Sequence, residues 1–379
     1  MNIVADKKIQ FIDLQAQQDL IREKINERIN RVLDHGKYIM GPEVQELEEV
    51  LTNYVGAKYC VSCASGTDAL LMALMAYDVG AGDVIFTTPF TFIATAEVIS
   101  LLGATPVFVD IDPGTFNIDP AKLRETILNR INNNGHTKPR GIIAVDLFGQ
   151  PADYNEINKI AAEFDLFVIE DAAQSFGAEY QGNNACGLAD VGTTSFFPAK
   201  PLGCYGDGGA IFTDNEEVAN LLASIRVHGK GLHKYENARI GINGRLDTMQ
   251  AAILLAKLEI FDNEIKLRNE VAKRYSELLP RSLKTPVVKP DRLSAWAQYS
   301  ILADDRDKIM AKLKINNIPT AIYYPKPLHL QDAFSDLGFK AGDFPVSEEV
   351  VSRIFSLPMN PYLEKGQQEF IAESITALF

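Results

Sequence analysis

A chain of 379 residues is too long for one small core and suits one large domain plus a smaller one. Its 46% hydrophobic and 23% charged residues are those of an ordinary soluble globular protein, and no run approaches the roughly 20 apolar residues that span a bilayer. A formal net charge of -13 argues against general nucleic-acid binding, which needs a basic surface to displace counterions.

The N-terminus, MNIVADKKIQFIDLQAQQ, is interrupted by Asp6, Lys7 and Lys8 and lacks the apolar run of a secretory signal, so a cytoplasmic location is expected. From about residue 40 to 260 short apolar runs alternate with amphipathic stretches, which predicts an α/β fold with a mostly parallel sheet flanked by helices. The strand candidates are KYCVS (58–62), DVIFTT (83–88), TPVFVDI (105–111), IIAVDLF (142–148), LFVIE (166–170) and GAIFTD (209–214). YNEINKIAAEF, at helical period between the fourth and fifth, makes a βαβ unit. Past residue 260 come a charged helix, IFDNEIKLRNEVAKRYSELL, a strand, WAQYSILA, a helix, DKIMAKLKINN, a strand, TAIYYP, and a closing helix, QQEFIAESITALF. That order predicts a large domain over 1–260 and a smaller α+β domain over 261–379.

Four cysteines, Cys60, Cys63, Cys186 and Cys204, are too few for a disulfide framework. Cys60 and Cys63 form a C-x-x-C, but no second pair or histidine cluster completes a metal site, and none is expected.

In VIEDAAQSFGAEYQG an apolar strand ends in Glu170 and Asp171, with Gln174 in the turn that follows. Polar groups at the carboxyl end of a buried parallel strand sit where open α/β sheets bind ligands, although a cap or structural hydrogen bond would also explain an aspartate there. In TTSFFPAKPLGCYGDGGAIFTD, Lys200 lies between Pro198 and Pro201 in an apolar context. Burying an ammonium is costly and lowers its pKa, which is what an imine-forming amine requires; a solvent-exposed loop lysine is the plain alternative.

A pyridoxal 5'-phosphate (PLP) enzyme needs an amine for the cofactor aldehyde, a carboxylate for the pyridine nitrogen and donors for the phosphate. Asp171 and Lys200 are 200 - 171 = 29 residues apart, about one strand-to-strand step, so neighbouring strand ends can hold both. Ser195 offers a hydroxyl to the phosphate. Ser65, Gly66 and Thr67 in SCASGTDALLMALMA lie where a helix begins, and helix N-termini favour anions, though S-G-T is also a common cap. Phe92 is placed either to stack on the cofactor ring or in the core.

Taken together, GPEVQELEEVL, SCASGTDAL, TPFTFIATAE, GATPVFVDID, FGQPAD, VIEDAAQSFGA, TSFFPAKPLG, GDGGAIFTD, RVHG and GINGRLDTMQAAI resemble the DegT/DnrJ/StrS sugar-nucleotide aminotransferases, PLP enzymes of fold type I in the aspartate aminotransferase superfamily. The resemblance runs along nearly the whole chain. It implies a homodimer in which Lys200 forms the imine with PLP, Asp171 pairs with the pyridine nitrogen, Gln174 contacts the ring hydroxyl and Phe92 stacks on the ring. Gly66, Thr67 and Ser195 would hold the phosphate, with Asn243 reaching over from the neighbouring subunit and Arg245 lying near the sugar nucleotide.

Within the family, FIDLQAQQ, HGKYIMGPEV and RLDTMQAAILLAKLEIF are most similar to the enzymes that aminate C3 of UDP-2-acetamido-2-deoxy-3-oxo-glucuronate for bacterial surface polysaccharide, with L-glutamate as donor. Relatives often carry H-Y-P where this chain has Tyr323, Tyr324 and Pro325, an exchange that bears on contacts to the sugar. The alternatives are C4 amination of a UDP- or dTDP-4-keto-6-deoxy sugar and a non-catalytic sugar-nucleotide binding protein on the same fold. A PLP-dependent sugar dehydratase is disfavoured by Lys200, where such enzymes carry histidine, and a dinucleotide oxidoreductase by the lack of a G-x-G-x-x-G after the first strand.

Overall fold

The structure, a computed structural model, describes residues 8–133, 137–233 and 235–378; Asp6, Lys7 and Phe379 lie outside the described residues. Helices α1 (Leu14–His35) and α2 (Pro42–Val55) lead into β1 (Tyr59–Cys63), α3 (Gly66–Ala76), β2 (Asp83–Thr87), α4 (Ala94–Leu101), β3 (Thr105–Phe108), α5 (Pro120–Asn133) and β4 (Lys138–Val145). After α6 (Tyr154–Phe164) and β5 (Phe167–Asp171), a small hairpin of β6 (Glu179–Tyr180) and β7 (Asn183–Asn184) precedes β8 (Val191–Ser195), β9 (Gly209–Thr213), α7 (Glu216–Ile225) and α8 (Thr248–Leu278). The C-terminal part contributes β10 (Arg292–Leu293), β11 (Tyr299–Leu302), α9 (Arg306–Ile315), α10 (Pro345–Arg353), β12 (Ile354–Leu357) and α11 (Lys365–Thr376).

Seven strands form one sheet in the order β1-β9-β8-β5-β4-β2-β3, in which β9 alone runs against its neighbours. Side chains alternate along each strand. Val61, Ile85, Ile143, Ile169 and Ile211 therefore meet α3, α4 and α7 on one face. Val84, Phe86, Ile142, Ala144 and Val168 meet α5 and α6 on the other, where α2 and α8 cover Phe196 and Phe212. Each such aliphatic side chain contributes about 1.5–3 kcal/mol on full burial. Cys60 and Cys63 belong to opposite faces, so the C-x-x-C expresses strand alternation and its two thiols do not converge.

The parallel order brings the carboxyl ends of β1, β2, β4, β5 and β8 to one edge of the sheet. In the C-terminal part, β11 pairs antiparallel with β12, and Tyr275 of α8 packs with Tyr299 and Phe355 in a second core. Helix α8 runs without a break through residue 260, and Ile9 from the N-terminal segment joins that second core. Among the described residues no helix is long and apolar enough to cross a membrane.

Several elements differ from the sequence pattern. Strand β8, VGTTS, carries no apolar run, yet all five of its residues are buried. Thr193 and Thr194 donate their hydroxyls to the Glu170 and Ala172 carbonyls, and a Cβ on Gly192 would stand 2.1 Å from the Cys186 carbonyl oxygen. TAIYYP is not a strand: Ala321 makes one bridge to Ser356, and the flanking Pro319 and Pro325 have no N–H for a ladder. The runs at 105–111 and 142–148 leave the sheet at Phe108 and Val145, because Asp110 turns to accept from the Val346 and Ser347 amides and Asp146 opens a short 3-10 turn. WAQYSILA contracts to β11.

Candidate active site

A cavity of about 440 Å³ opens at the carboxyl edge of the sheet. It is lined by Ser65, Gly66, Thr67, Phe92, Asp171, Gln174, Ser195, Lys200, Tyr323 and Tyr324, so ten of the residues singled out in the sequence meet in one place.

Asp171 is the last residue of β5 and is buried. Its Oδ2 accepts the Thr95 hydroxyl at 2.8 Å and its Oδ1 the Ala173 amide at 3.3 Å. Burial pushes its pKa up, while these two bonds and the charge of Lys200 pull it down. Lys200 follows β8 in a loop closed by Cys204 N donating to Phe196 O at 2.8 Å and Lys200 N donating to Phe197 O at 2.9 Å. Its side chain is half-buried by surface, but its amine is deep enough among protein atoms that desolvation lowers its pKa, with Asp171 opposing. The amine and the carboxylate are thus electrostatically coupled within the same cavity.

Ser65 caps α3, its hydroxyl accepting from the Asp68 amide at 3.0 Å. The cap and the anion site coexist here, because the first amides of a helix have no partner within it. Gly66 lies against β8: a Cβ at this position would be 2.6 Å from the Ser195 Cβ, so glycine is what allows the helix start and the Ser195 hydroxyl to border one cradle. The Gln174 carboxamide is held on both sides, Oε1 accepting from the Phe148 amide at 2.7 Å and Nε2 donating to the Tyr324 hydroxyl at 3.1 Å. Phe92 is 53% exposed and its ring lies 6.2 Å from that of Tyr324, which rules out the core placement.

Asn243 and Arg245 do not line this cavity. Asn243 is exposed and pairs with Val227 in a bridge, and the buried Nε of Arg245 has no hydrogen-bond partner. Four polar lining residues carried no mark in the sequence: Thr91, Thr95, Asp207 and Gln298. Thr91 and Thr95 stand four apart around the start of α4, a spacing that puts them side by side but does not by itself mark a site. Among the residues lining the cavity Lys200 is the one cation.

An amine of lowered pKa, a buried carboxylate and a helix start beside a serine hydroxyl fit the aldehyde, the ring nitrogen and the phosphate of PLP. Known proteins agree with that chemistry. A 49% identical relative, covering 97% of this chain and 99% of its own length, is the UDP-2-acetamido-2-deoxy-3-oxo-D-glucuronate aminotransferase of Pseudomonas aeruginosa. A DegT/DnrJ/EryC1/StrS aminotransferase from Brucella abortus superposes with a TM-score of 0.95 at 49% identity, over 98% of this chain and 99% of that one. NtdA of Bacillus subtilis, solved with bound cofactor PMP, superposes with a TM-score of 0.87 at 31% identity, over 94% of this chain and 82% of that one. A model of the DegT/DnrJ/EryC1/StrS aminotransferase family matches residues 19–376, and the chain belongs to that family.

Proposed function

We propose that this protein is a PLP-dependent transaminase that moves the amino group of L-glutamate to C3 of UDP-2-acetamido-2-deoxy-3-oxo-glucuronate, in the supply of amino sugars for bacterial surface polysaccharide. The observation that carries the reading is the placement of Lys200 and Asp171 in one cavity beside the start of α3. The choice of sugar is supported by the 49% identity to the Pseudomonas aeruginosa enzyme of that activity.

PLP supplies a protonated ring that withdraws electrons from the carbon bearing the transferred nitrogen. Lys200 would hold the cofactor by its aldehyde and, as a neutral amine, would take the proton from the donor α-carbon and give one to the sugar carbon. Asp171 keeps the ring nitrogen protonated through its charge. Gly66, Thr67 and Ser195 bind the phosphate, Phe92 covers a ring face and Gln174 addresses the ring hydroxyl. Tyr323 and Tyr324 border the sugar side.

A nucleotide sugar brings a diphosphate, and here a carboxylate, to a cavity whose lining has one cation. The segment 226–245 carries Lys230, Arg239 and Arg245 and leaves Leu232, Tyr235 and Ile240 more than 85% exposed, which suits a surface covered by a second copy. In the resulting homodimer Asn243 and Arg245 of one copy complete the cavity of the other. Free, buried thiols fit a cytoplasmic enzyme.

The test is to incubate the purified protein with PLP, glutamate and a panel of UDP- and dTDP-linked keto-sugars and to locate the new amine by NMR. Amination at C3 of the uronate is expected. A colourless protein with no borohydride-trappable bond at Lys200 would remove the reading, and a product aminated at C4 would replace the substrate.

A further inference from the structure

Two threonines at the cavity wall adjoin the Asp171 carboxylate. Thr95, at the start of α4 and 1% exposed, donates its hydroxyl to Asp171 Oδ2 at 2.8 Å. Thr91, 3% exposed, lies 3.1 Å from Thr95, oxygen to oxygen. A hydroxyl has one proton to give. When Asp171 is ionised it can only accept, so the Thr95 proton is committed to it and the bond between the threonines must run from Thr91 to Thr95. Both donors then point the same way, toward the carboxylate, and a chain of aligned hydroxyls polarises its terminal bond.

The placement opposes a specific cost. Asp171 is buried at the end of β5, where desolvation favours its neutral form, and a neutral carboxyl cannot hold a pyridinium proton by charge. The Oδ1 side receives the 3.3 Å bond from Ala173 N, so Thr95 provides the shorter contact. The bond also fixes which way the carboxylate plane faces in the cavity.

We propose that Thr95, polarised by Thr91, is a positioning residue that keeps Asp171 ionised and aimed at the cofactor ring nitrogen. The inference rests on PLP binding as proposed above. Thr95 acts through Asp171.

Three variants separate this role from simple packing. Thr95→Val keeps the shape and removes the donor, Thr95→Ser keeps the donor and removes the methyl group, and Thr91→Val removes only the second hydroxyl. Each is stripped of cofactor, its melting temperature recorded, and its PLP affinity and the pH profile of its visible band measured by titration. Affinity in Thr95→Val should fall about ten- to hundredfold, the range expected for losing a hydrogen bond to a charged group. Thr95→Ser should stay within about threefold of wild type, and Thr91→Val should fall between them, with a single cooperative melting transition in each cofactor-free form to show that it is folded. Wild-type affinity and band profile in Thr95→Val would overturn the proposal, as would a serine variant as weak as the valine one. Wild-type behaviour of Thr91→Val would overturn the relay. If the wild-type protein itself shows no Lys200-dependent band, the proposed function fails, a result distinct from any of these.

Discussion

Glu170 and Asp171 are chain neighbours that serve opposite sides of the sheet. Asp171 faces the cavity and α4, whereas Glu170, with no exposed surface, turns the other way and accepts the Cys186 and Leu188 amides at 2.6 and 2.9 Å. Strand alternation alone assigns the two acids to different tasks.

Glu170→Ala should therefore damage the fold and Asp171→Ala the chemistry. Removing Glu170 leaves two buried amides without acceptors, at roughly 1–3 kcal/mol each, so a loss of about 2–5 kcal/mol in denaturant unfolding is expected. Asp171→Ala also frees the Thr95 hydroxyl and the Ala173 amide, but both border the cavity, where water can replace the carboxylate, so it should lose less stability and most transamination. Comparable stability losses in the two variants would contradict this division.

Glu170 also shares the protein interior with Asp146, which is fully buried and receives the Ala152 amide and the Tyr154 and Ser175 hydroxyls, each at 2.8 Å. Burial raises the pKa of both carboxyls, Glu170 further by the charge of Asp146. The unfolded chain releases these protons near the ordinary values of 3.8 and 4.5 while the folded protein still holds them. The stability they contribute is thus complete below those values and is lost as pH rises toward the folded ones. Asp146→Asn keeps an oxygen for Ala152 and Tyr154 and has no proton to lose. Its unfolding free energy should fall less with pH than that of wild type, by up to about 1.4 kcal/mol per pH unit in that window. Parallel curves would exclude a raised Asp146.

How far such roles could be read in advance depended on contrast. Lys200 and Asp171 stood out because each is a charge in apolar surroundings, and the sheet edge brings both to the cavity. Thr95 gave no contrast, since a threonine opening a helix reads as an ordinary residue until Asp171 is seen 2.8 Å away. Strand β8 was hidden for a related reason. Its threonines satisfy themselves on neighbouring carbonyls, so a polar sequence occupies a fully buried strand. The ends of β3 and β4 were set by Asp110 and Asp146, whose partners at Ser347 and Ser175 are distant in sequence. Asn243 and Arg245 have no place in the cavity of their own chain, and only in the proposed homodimer would they serve a second one.

Gly66→Ala should weaken cofactor binding with the fold kept. The added methyl would lie 2.6 Å from Ser195 Cβ and 3.1 Å from its Oγ, forcing α3 away from β8. Such overpacking costs about 1–3 kcal/mol of stability. PLP affinity, which in the proposed site draws on the helix start and the Ser195 hydroxyl together, should fall at least about tenfold, the effect of losing one charge-assisted hydrogen bond. Titration of the cofactor-free protein with PLP measures it, and unchanged affinity would separate Gly66 from the phosphate site.

The coupling of Lys200 to Asp171 makes a prediction with an unexpected sign. In the cofactor-free enzyme burial lowers the Lys200 pKa below its ordinary 10.5, and the Asp171 charge raises it part of the way back. Only the unprotonated amine attacks an aldehyde. Asp171→Asn removes the opposing charge, so the midpoint of the pH profile for PLP capture should move to lower pH, even as transamination by the loaded variant falls. Rapid mixing of cofactor-free protein with saturating PLP, followed by the appearance of the visible band from about pH 7 to 10, reads that midpoint without depending on affinity. A midpoint that stays in place or rises would mean that the two side chains do not feel each other across the cavity.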